Sequence, residues 1–238
     1  VAGWRLLWQD SGKRNQTDEF RMSEFSTRRV MMVDTQVRPS DVTKFPIIDA
    51  MLSVPRETFV PDDKREAAYV GENLPLGPGR VVLEARTLAK LLDALDIQPG
   101  ELVLDVGCGL GYSAAVIARL AETVVAVEED EALAADAQRL LSEEGVDNAV
   151  VMTGKLYAGS AKCAPYDVIT IEGGVEVVPE ALLTQLKPGG RIGAIFMEGA
   201  VGTARIGYKS DTGVTWRSMF NAAAPVLAGF QKVRGFTL

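Results

Sequence analysis

The stretch Val103-Leu104-Asp105-Val106-Gly107-Cys108-Gly109-Leu110-Gly111-Tyr112 decides how this 238-residue chain is read. A short apolar run bounded by glycine is a buried strand, here interrupted by a single acid, Asp105. Three alternating glycines follow, which let the backbone turn sharply and approach a ligand, and the helix they open offers free amide groups. A small molecule can lie across such a loop. The next strand, Thr123 to Glu128, ends in a carboxylate roughly 20 residues beyond the glycines, where both hydroxyls of a ribose can be bound. A nicotinamide dinucleotide is an alternative ligand, but its fingerprint wants the third glycine where this chain has Tyr112.

Working outward, Tyr112 to Leu120 reads as a helix, and Glu131 to Glu144 as another closed by Gly145. Ala149 to Met152, Asp167 to Ile171 and Arg191 to Phe196 read as further strands. Pro179 to Leu186 reads as a helix with proline in its first turn, followed by a turn at Lys187-Pro188-Gly189-Gly190. Strands alternating with helices specify an α/β fold with a doubly wound, Rossmann-like sheet, mostly parallel. Ala204 to Tyr208 and Thr215 to Phe220 add a C-terminal antiparallel hairpin.

Upstream, Leu83 to Leu95 is an amphipathic helix with Leu88, Leu91, Leu92 and Leu95 on one face. Tyr69 to Arg80 is dense in Gly and Pro and is expected to be a loop. From Met22 to about Phe59, Met31, Met32, Val33 and Val37 and then Ile47, Ile48, Met51 and Leu52 fall near helical spacing, and Pro39, Pro46, Pro55 and Pro61 break this stretch into short helices. The expected division is a tail over 1–21, a small N-terminal helical segment with the substrate-side loop over 22–95, and a cofactor-binding domain over 96–238.

A formal charge of -7 argues against a nucleic-acid backbone as partner. No apolar stretch reaches the roughly 18 residues of a spanning helix, and the first residues lack the apolar core of a leader, so a cytoplasmic protein with no membrane partner is expected. Two cysteines, Cys108 and Cys163, make neither a zinc cluster nor a disulfide framework, and no metal is expected. Histidine is absent, which removes the commonest general base and argues against a Ser-His-Asp hydrolase. Methylation of a carboxylate survives that condition, because the ionised nucleophile needs no proton removed.

Asp105, two residues ahead of Gly107, resembles the acid of the methyltransferase glycine loop, which sits near the methionine end of S-adenosylmethionine. The likeness extends over about Met32 to Phe196. It includes Met32-Val33 with Gln36 and Arg38, Asp49-Ala50-Met51, and Val54-Pro55-Arg56-Glu57-Thr58-Phe59-Val60-Pro61. Ala68-Tyr69, Leu74-Pro75-Leu76-Gly77-Pro78-Gly79, Ala164-Pro165-Tyr166-Asp167 and Pro179 through Gly190 continue it. In order and spacing the chain resembles the protein-L-isoaspartate O-methyltransferases. That resemblance implies a methyltransferase-type sheet, S-adenosylmethionine as cofactor, and methyl transfer to the stray α-carboxylate of an isoaspartyl residue. The ester then collapses to a succinimide that partly reopens to aspartate, a protein repair. The implied cofactor contacts are Asp105, Gly107, Gly109, Gly111, Tyr112, Glu128, Gly154 and Lys155. The implied partner is an isoaspartyl peptide or another carboxylate-bearing acceptor.

Three positions depart from the family pattern. Its Thr-Ile-Ser-Gln-Pro is Val81-Val82-Leu83-Glu84-Ala85 here, so Leu83 stands where the family places a serine at the acceptor carboxylate. Its Gly-Asp-Gly is Gly154-Lys155-Leu156, and a lysine cannot accept from the adenine amino group. Its Val-Thr-Ala-Ala is Ile171-Glu172-Gly173-Gly174, which sets a carboxylate near the strand ends. Glu172 and Glu84 are therefore the candidate catalytic groups. Glu172 reads either as a base for an amine or hydroxyl acceptor or as an exposed strand end, and Glu84 reads more readily as a carboxylate at a helix start, where the dipole welcomes it. Arg56 reads as a brace between the N-terminal helices and the sheet. The departures leave two alternatives open: a methyltransferase with a different acceptor, and a catalytically silent module that binds the cofactor or a partner protein.

Overall fold

The computed structural model describes residues 24–232, so the expected tail over 1–21 lies outside the described residues. Residues 24–32 are helical (α1) and continue into a wider π-helical turn, Val33–Val37, before Pro39 and a left-handed Asp41 end the run. α2 (Phe45–Ser53) opens with Pro46 in its first turn, where a missing N–H goes unnoticed. Met32, Val33, Val37, Ile47, Ile48 and Met51 are buried as their spacing predicts, whereas Met31 faces solvent. Two 3-10 turns, Arg56–Phe59 and Asp62–Ala67, complete this segment.

The Gly- and Pro-dense stretch is not a loop throughout. β1 (Leu74–Gly77) and β2 (Arg80–Val82) pair antiparallel around Pro78 and Gly79. Proline presets the first turn position and Gly79 takes φ +70, so the residues that suggested a loop make a tight hairpin instead. α3 (Ala85–Leu95) starts after Glu84, not at Leu83, because Glu84 keeps an extended backbone.

The alternation then proceeds through β3 (Leu102–Val106), α4 (Tyr112–Ala118), β4 (Thr123–Glu128), α5 (Glu131–Glu143) and β5 (Ala149–Thr153). It ends with β6 (Tyr166–Val175), α6 (Glu180–Leu183), β7 (Leu186–Glu198), β8 (Val201–Ser210) and β9 (Gly213–Asn221). The sheet order is β5-β4-β3-β6-β7-β8-β9, parallel through β7 and antiparallel beyond it, the doubly wound fold expected from the sequence. Strand order reverses between β3 and β6, and the carboxyl ends of these strands frame the crevice where such sheets bind ligands. Two details differ from expectation. α6 is a single turn, and Lys187 to Gly190 lies inside β7 as an irregularity in its pairing with β6. Gly190 permits that register slip, since a Cβ there would come within 2.9 Å of the Asp167 and Lys187 carbonyl oxygens.

Period-two alternation distributes the central strands between two cores. Val103, Val124, Ala126 and Val168 join the core built with the N-terminal helices, α3, α4 and α5, while Leu104, Val106, Val125, Val127, Ile169 and Ile171 join the opposite one. The same alternation puts Asp105 on the face of Val103, under α4. The second face is covered by α6 and by residues 222–232, a strap that recrosses β6. Gly174 N–H donates to the Pro225 carbonyl at 2.8 Å, Leu227 N–H donates back to Gly174 at 2.9 Å, and Leu227 and Phe230 are buried. No described helix is long and apolar enough to cross a membrane.

Candidate cofactor and acceptor site

At the end of β3, Gly107, Gly109 and Gly111 take φ of +86, +58 and +99, a region that side chains resist. They serve different ends. A Cβ on Gly109 would lie 2.4 Å from Leu76 Cδ1, so the β1–β2 hairpin closes directly onto the loop. A Cβ on Gly111 would press against Leu141 at 3.4 Å and Ala137 at 3.5 Å, which makes it a packing glycine between α4 and α5. Gly107 faces Arg80, Leu156 and Leu227 on the crevice side.

Glu128, at the end of β4, is wholly buried and its oxygens are fully engaged. Its Oε1 accepts from Arg80 Nη1 at 2.6 Å and from the N–H groups of Glu129 at 2.8 Å and Asp130 at 3.1 Å. Its Oε2 accepts from Arg80 Nη2 at 2.6 Å and from Gly109 N–H at 2.8 Å. The strand-end carboxylate is thus fixed by the glycine loop and capped by a bidentate arginine, the strongest common ion-pair geometry. Burial opposes the Arg80 charge, but hydrogen bonding and attraction to Glu128 outweigh it and hold the pKa above the ordinary value. Sequence reasoning passed over Arg80. Its partner is 48 residues away, and one arginine in a Gly-Pro stretch carries no periodic pattern.

Arg80 also divides the crevice. On one side is a cleft of about 560 Å³ lined by Pro78, Arg80, Glu129, Asp130, Lys155 and Leu156. On the other, Val82, Leu83, Cys108, Tyr112, Ser113 and Glu172 enclose only about 10 Å³, room for one water at most. A larger cavity, about 700 Å³, lies elsewhere, beside α1 and the Arg56–Phe59 turn. Its charged walls include Arg29, Glu57 and Glu66, which already pair with one another, with Tyr69 or with Arg28, and no glycine-loop residue reaches it.

Two buried carboxyls flank the small space. Asp105 Oδ2 accepts from Ser113 Oγ at 2.7 Å, and Asp105 Oδ1 has no partner. Register pairing of Val106 with Ile171 brings Glu172 alongside the loop, where its Oε1 accepts from Thr170 Oγ1 at 2.9 Å. Burial, with the Glu128 charge adding to it, pushes Asp105 up to about 7 despite the Ser113 bond. Burial and then the neighbouring Asp105 push Glu172 well above the usual carboxylate range.

Glu172 is therefore not an exposed strand end. β6 bulges around it, advancing from Thr170 to Gly174 while β7 advances only from Gly193 to Ile195, and bulges commonly re-aim a side chain next to a site. The two glycines after it have a steric cause: a Cβ on Gly173 would sit 2.6 Å from Leu227, and one on Gly174 would sit 2.4 Å from the Ala224 carbonyl oxygen. The Ile171-Glu172-Gly173-Gly174 departure is one unit, a bulge with room for the strap.

The remaining candidates are dispersed. Glu84 stays at the start of α3, accepting from Thr87 Oγ1 at 2.6 Å with Arg86 3.6 Å away, and lines neither space. Lys155 is exposed and paired with Glu129, and Gly154 N–H donates to the Glu128 carbonyl at 2.9 Å. Tyr112 is a buried wall whose ring lies 4.6 Å below the Arg56 guanidinium. Arg56 is wholly buried, and burial lowers its pKa. Its Nε donates to the Ala68 carbonyl at 2.7 Å and its Nη2 to the Leu83 carbonyl at 2.8 Å, tying the end of the N-terminal segment to the entry of α3.

The family described as Protein-L-isoaspartate(D-aspartate) O-methyltransferase (PCMT) matches residues 29–198. A protein-L-isoaspartate O-methyltransferase of Methylorubrum extorquens (strain PA1) is 39% identical over 164 residues, which cover 69% of this chain and 72% of that protein. A solved protein-L-isoaspartate O-methyltransferase superposes with a TM-score of 0.73 at 25% identity, over 86% of this chain and 66% of that one. A Plasmodium falciparum structure solved in complex with S-adenosyl-L-homocysteine shares the fold, with a TM-score of 0.71 at 16% identity over 84% of this chain and 97% of that one. The family match takes in hairpin, glycine loop and bulge alike, from within α1 to the end of β7, and this chain belongs to the protein-L-isoaspartate(D-aspartate) O-methyltransferase family.

Proposed function

We propose that this chain is an S-adenosylmethionine-dependent methyltransferase that esterifies the α-carboxylate of isoaspartyl residues in peptides and proteins. The observation that carries the reading is the unpartnered, buried Oδ1 of Asp105 beside the glycine loop. A buried polar atom left unpaired costs about 1–3 kcal/mol, which an arriving ammonium group offsets. Asp105 suits the amino-acid end of the cofactor, the bare backbone of Gly107 and Gly109 suits close passage, and Glu128 suits the ribose hydroxyls. Lys155 and Leu156 then border the adenine in the larger cleft, and Gly111 and Tyr112 support the loop from behind. Glu128 is free to accept from ribose once Arg80 withdraws.

S-adenosylmethionine, when bound, supplies an electrophilic methyl group on a positively charged sulfur. Everything else is asked of the chain's own residues. An isoaspartyl carboxylate is ionised at neutral pH and attacks without a base, in keeping with a histidine-free sequence. The space between Leu83, Cys108, Tyr112 and Glu172 is where that carboxylate would stand, and it opens when the β1–β2 hairpin lifts from Gly109. Its walls are apolar or uncharged. Burial keeps the Cys108 thiol neutral and favours a protonated Glu172, so neither repels an anionic acceptor. Excluding water there strengthens the attraction between anionic acceptor and cationic donor.

Leu83 at the position of the family's serine favours one other reading, transfer to a different acceptor with Glu172 as its base. Matched peptides that differ only in an isoaspartyl or a normal aspartyl residue test the proposal, with base-labile methyl groups as the readout. Methyl ester on the isoaspartyl peptide alone is expected. Base-stable methylation of amines or hydroxyls, with neither peptide modified, would move the assignment to the second reading.

A further inference from the structure

We infer that Arg80 is the receptor for the acceptor's carboxylate, parked on Glu128 until ribose hydroxyls displace it, so that the cofactor binds first and arms the acceptor site. The inference rests on the isoaspartyl reading above.

A carboxylate entering a poorly solvated pocket needs a partner, because an unpaired buried charge is costly. Leu83 cannot provide one. Among the described residues lining the two spaces, Arg80 and Lys155 are the only cations, and Lys155 lies on the far side of Arg80, paired with Glu129. Arg56 lines neither space: its Nε and Nη2 donate to the carbonyls of Ala68 and Leu83, and its Nη1, buried without a partner, lies behind the Tyr112 ring.

Arg80 is also in the right place. It opens the hairpin strand that ends at Val82, next to Leu83, and its Nη2 sits 3.4 Å from where a Cβ of Gly107 would be. Gly107 lines the small space together with Leu83 and Glu172, so the guanidinium already stands at its edge. Withdrawal from Glu128 moves it a short way into that mouth.

Two features of the parked state point to an exchange. Glu128 accepts from five donors, three of them backbone N–H groups of Gly109, Glu129 and Asp130 that the fold holds in place. Ribose hydroxyls can therefore replace only Arg80. Arg80 Nε is buried without a partner while both terminal nitrogens face Glu128. A carboxylate taken side-on, through Nε and one terminal nitrogen, would satisfy the nitrogen that Glu128 leaves unpaired. The planar fork matches any carboxylate, so the displaced arginine trades one for another.

Titration calorimetry on the full chain tests this with S-adenosylhomocysteine, then with an isoaspartyl peptide added to cofactor-free and to S-adenosylhomocysteine-saturated protein. In the wild type, the peptide should bind the saturated form at least roughly tenfold more tightly than the cofactor-free form. Arg80→Gln should bind S-adenosylhomocysteine more tightly and the peptide roughly tenfold more weakly, and Arg80→Lys, which keeps the charge if the glutamine variant folds poorly, should recover part of the peptide affinity. Peptide affinity unchanged in Arg80→Gln, or independent of the cofactor in the wild type, overturns the inference. Absence of methyl transfer by a wild type whose peptide binding does depend on Arg80 would instead remove the isoaspartyl methylation reading and leave the receptor standing.

Discussion

Asp105 stands in register with Thr170 on the neighbouring strand, and the Thr170 hydroxyl donates to Glu172, so one threonine sets two buried carboxyls side by side beneath the glycine loop. Alternation along β3 and the bulge in β6 together produce this pair. Its protonation state is the electrostatic variable of the site, and it leads to measurable consequences.

The first concerns stability. Asp105 has a folded pKa of about 7 against an ordinary 3.8, so between those values the folded chain holds a proton that the unfolded chain releases. The Asp105 contribution to stability is therefore fully present below about 4, falls as pH rises and is lost above about 7, and the raised Glu172 acts in the same direction. Thermal unfolding of the cofactor-free protein between pH 5 and 8 should show that fall, and Asp105→Asn should show a shallower one.

The second concerns the cofactor. An ammonium group prefers an ionised Asp105, so binding expels the proton, and affinity for S-adenosylhomocysteine should climb with pH below about 7 and flatten above it. The slope is bounded at about tenfold per pH unit for a single proton. Calorimetric titrations from pH 5.5 to 8.5, plotted against pH, check this, and Asp105→Asn should bind weakly with little pH dependence.

Arg56 should matter for stability far from any chemistry. Arg56→Ala strands the buried carbonyls of Ala68 and Leu83 and uncovers the Tyr112 ring. At roughly 1–3 kcal/mol for each lost partner, a destabilisation of about 2–6 kcal/mol is expected. A lowered midpoint in urea with an unchanged slope would register it. Lysine should rescue little, because one ammonium cannot reproduce the fork.

The strap makes a prediction about non-additivity. Leu227→Ala should cost about 2–5 kcal/mol as a buried truncation, and Gly173→Ala about 1–3 kcal/mol as overpacking against Leu227. In the double variant the added methyl group occupies space that Leu227 vacated, so the combined loss should be smaller than the sum. Urea unfolding of the four proteins closes the cycle.

The central strands could be read from the sequence because their apolar runs are short and end in glycine, and β3 and β4 fall on the anticipated residues. Asp105, Gly107, Gly109 and Glu128 were legible for the same reason: local spacing alone places them around one loop. The β1–β2 hairpin was not, since Pro78 and Gly79 announce a turn without saying whether the flanks pair. Arg80 was invisible because its role depends on a strand end 48 residues away. Glu172 was visible as a departure, but its burial comes from a bulge and from a strap whose Leu227 lies 55 positions downstream in a segment with no motif. Glu84, one residue beyond Leu83, stands at the start of α3 and accepts from Thr87, in keeping with its reading as a helix-start carboxylate.

The most direct test of the site is a crystal structure of the chain with S-adenosylhomocysteine bound, measuring what Glu128 and Asp105 contact. Ribose hydroxyls on both Glu128 oxygens, the ligand's ammonium group on Asp105 Oδ1, and the Arg80 guanidinium out of reach of Glu128 are expected. A ligand seated elsewhere, or one bound with the Arg80–Glu128 pair intact, would contradict this arrangement.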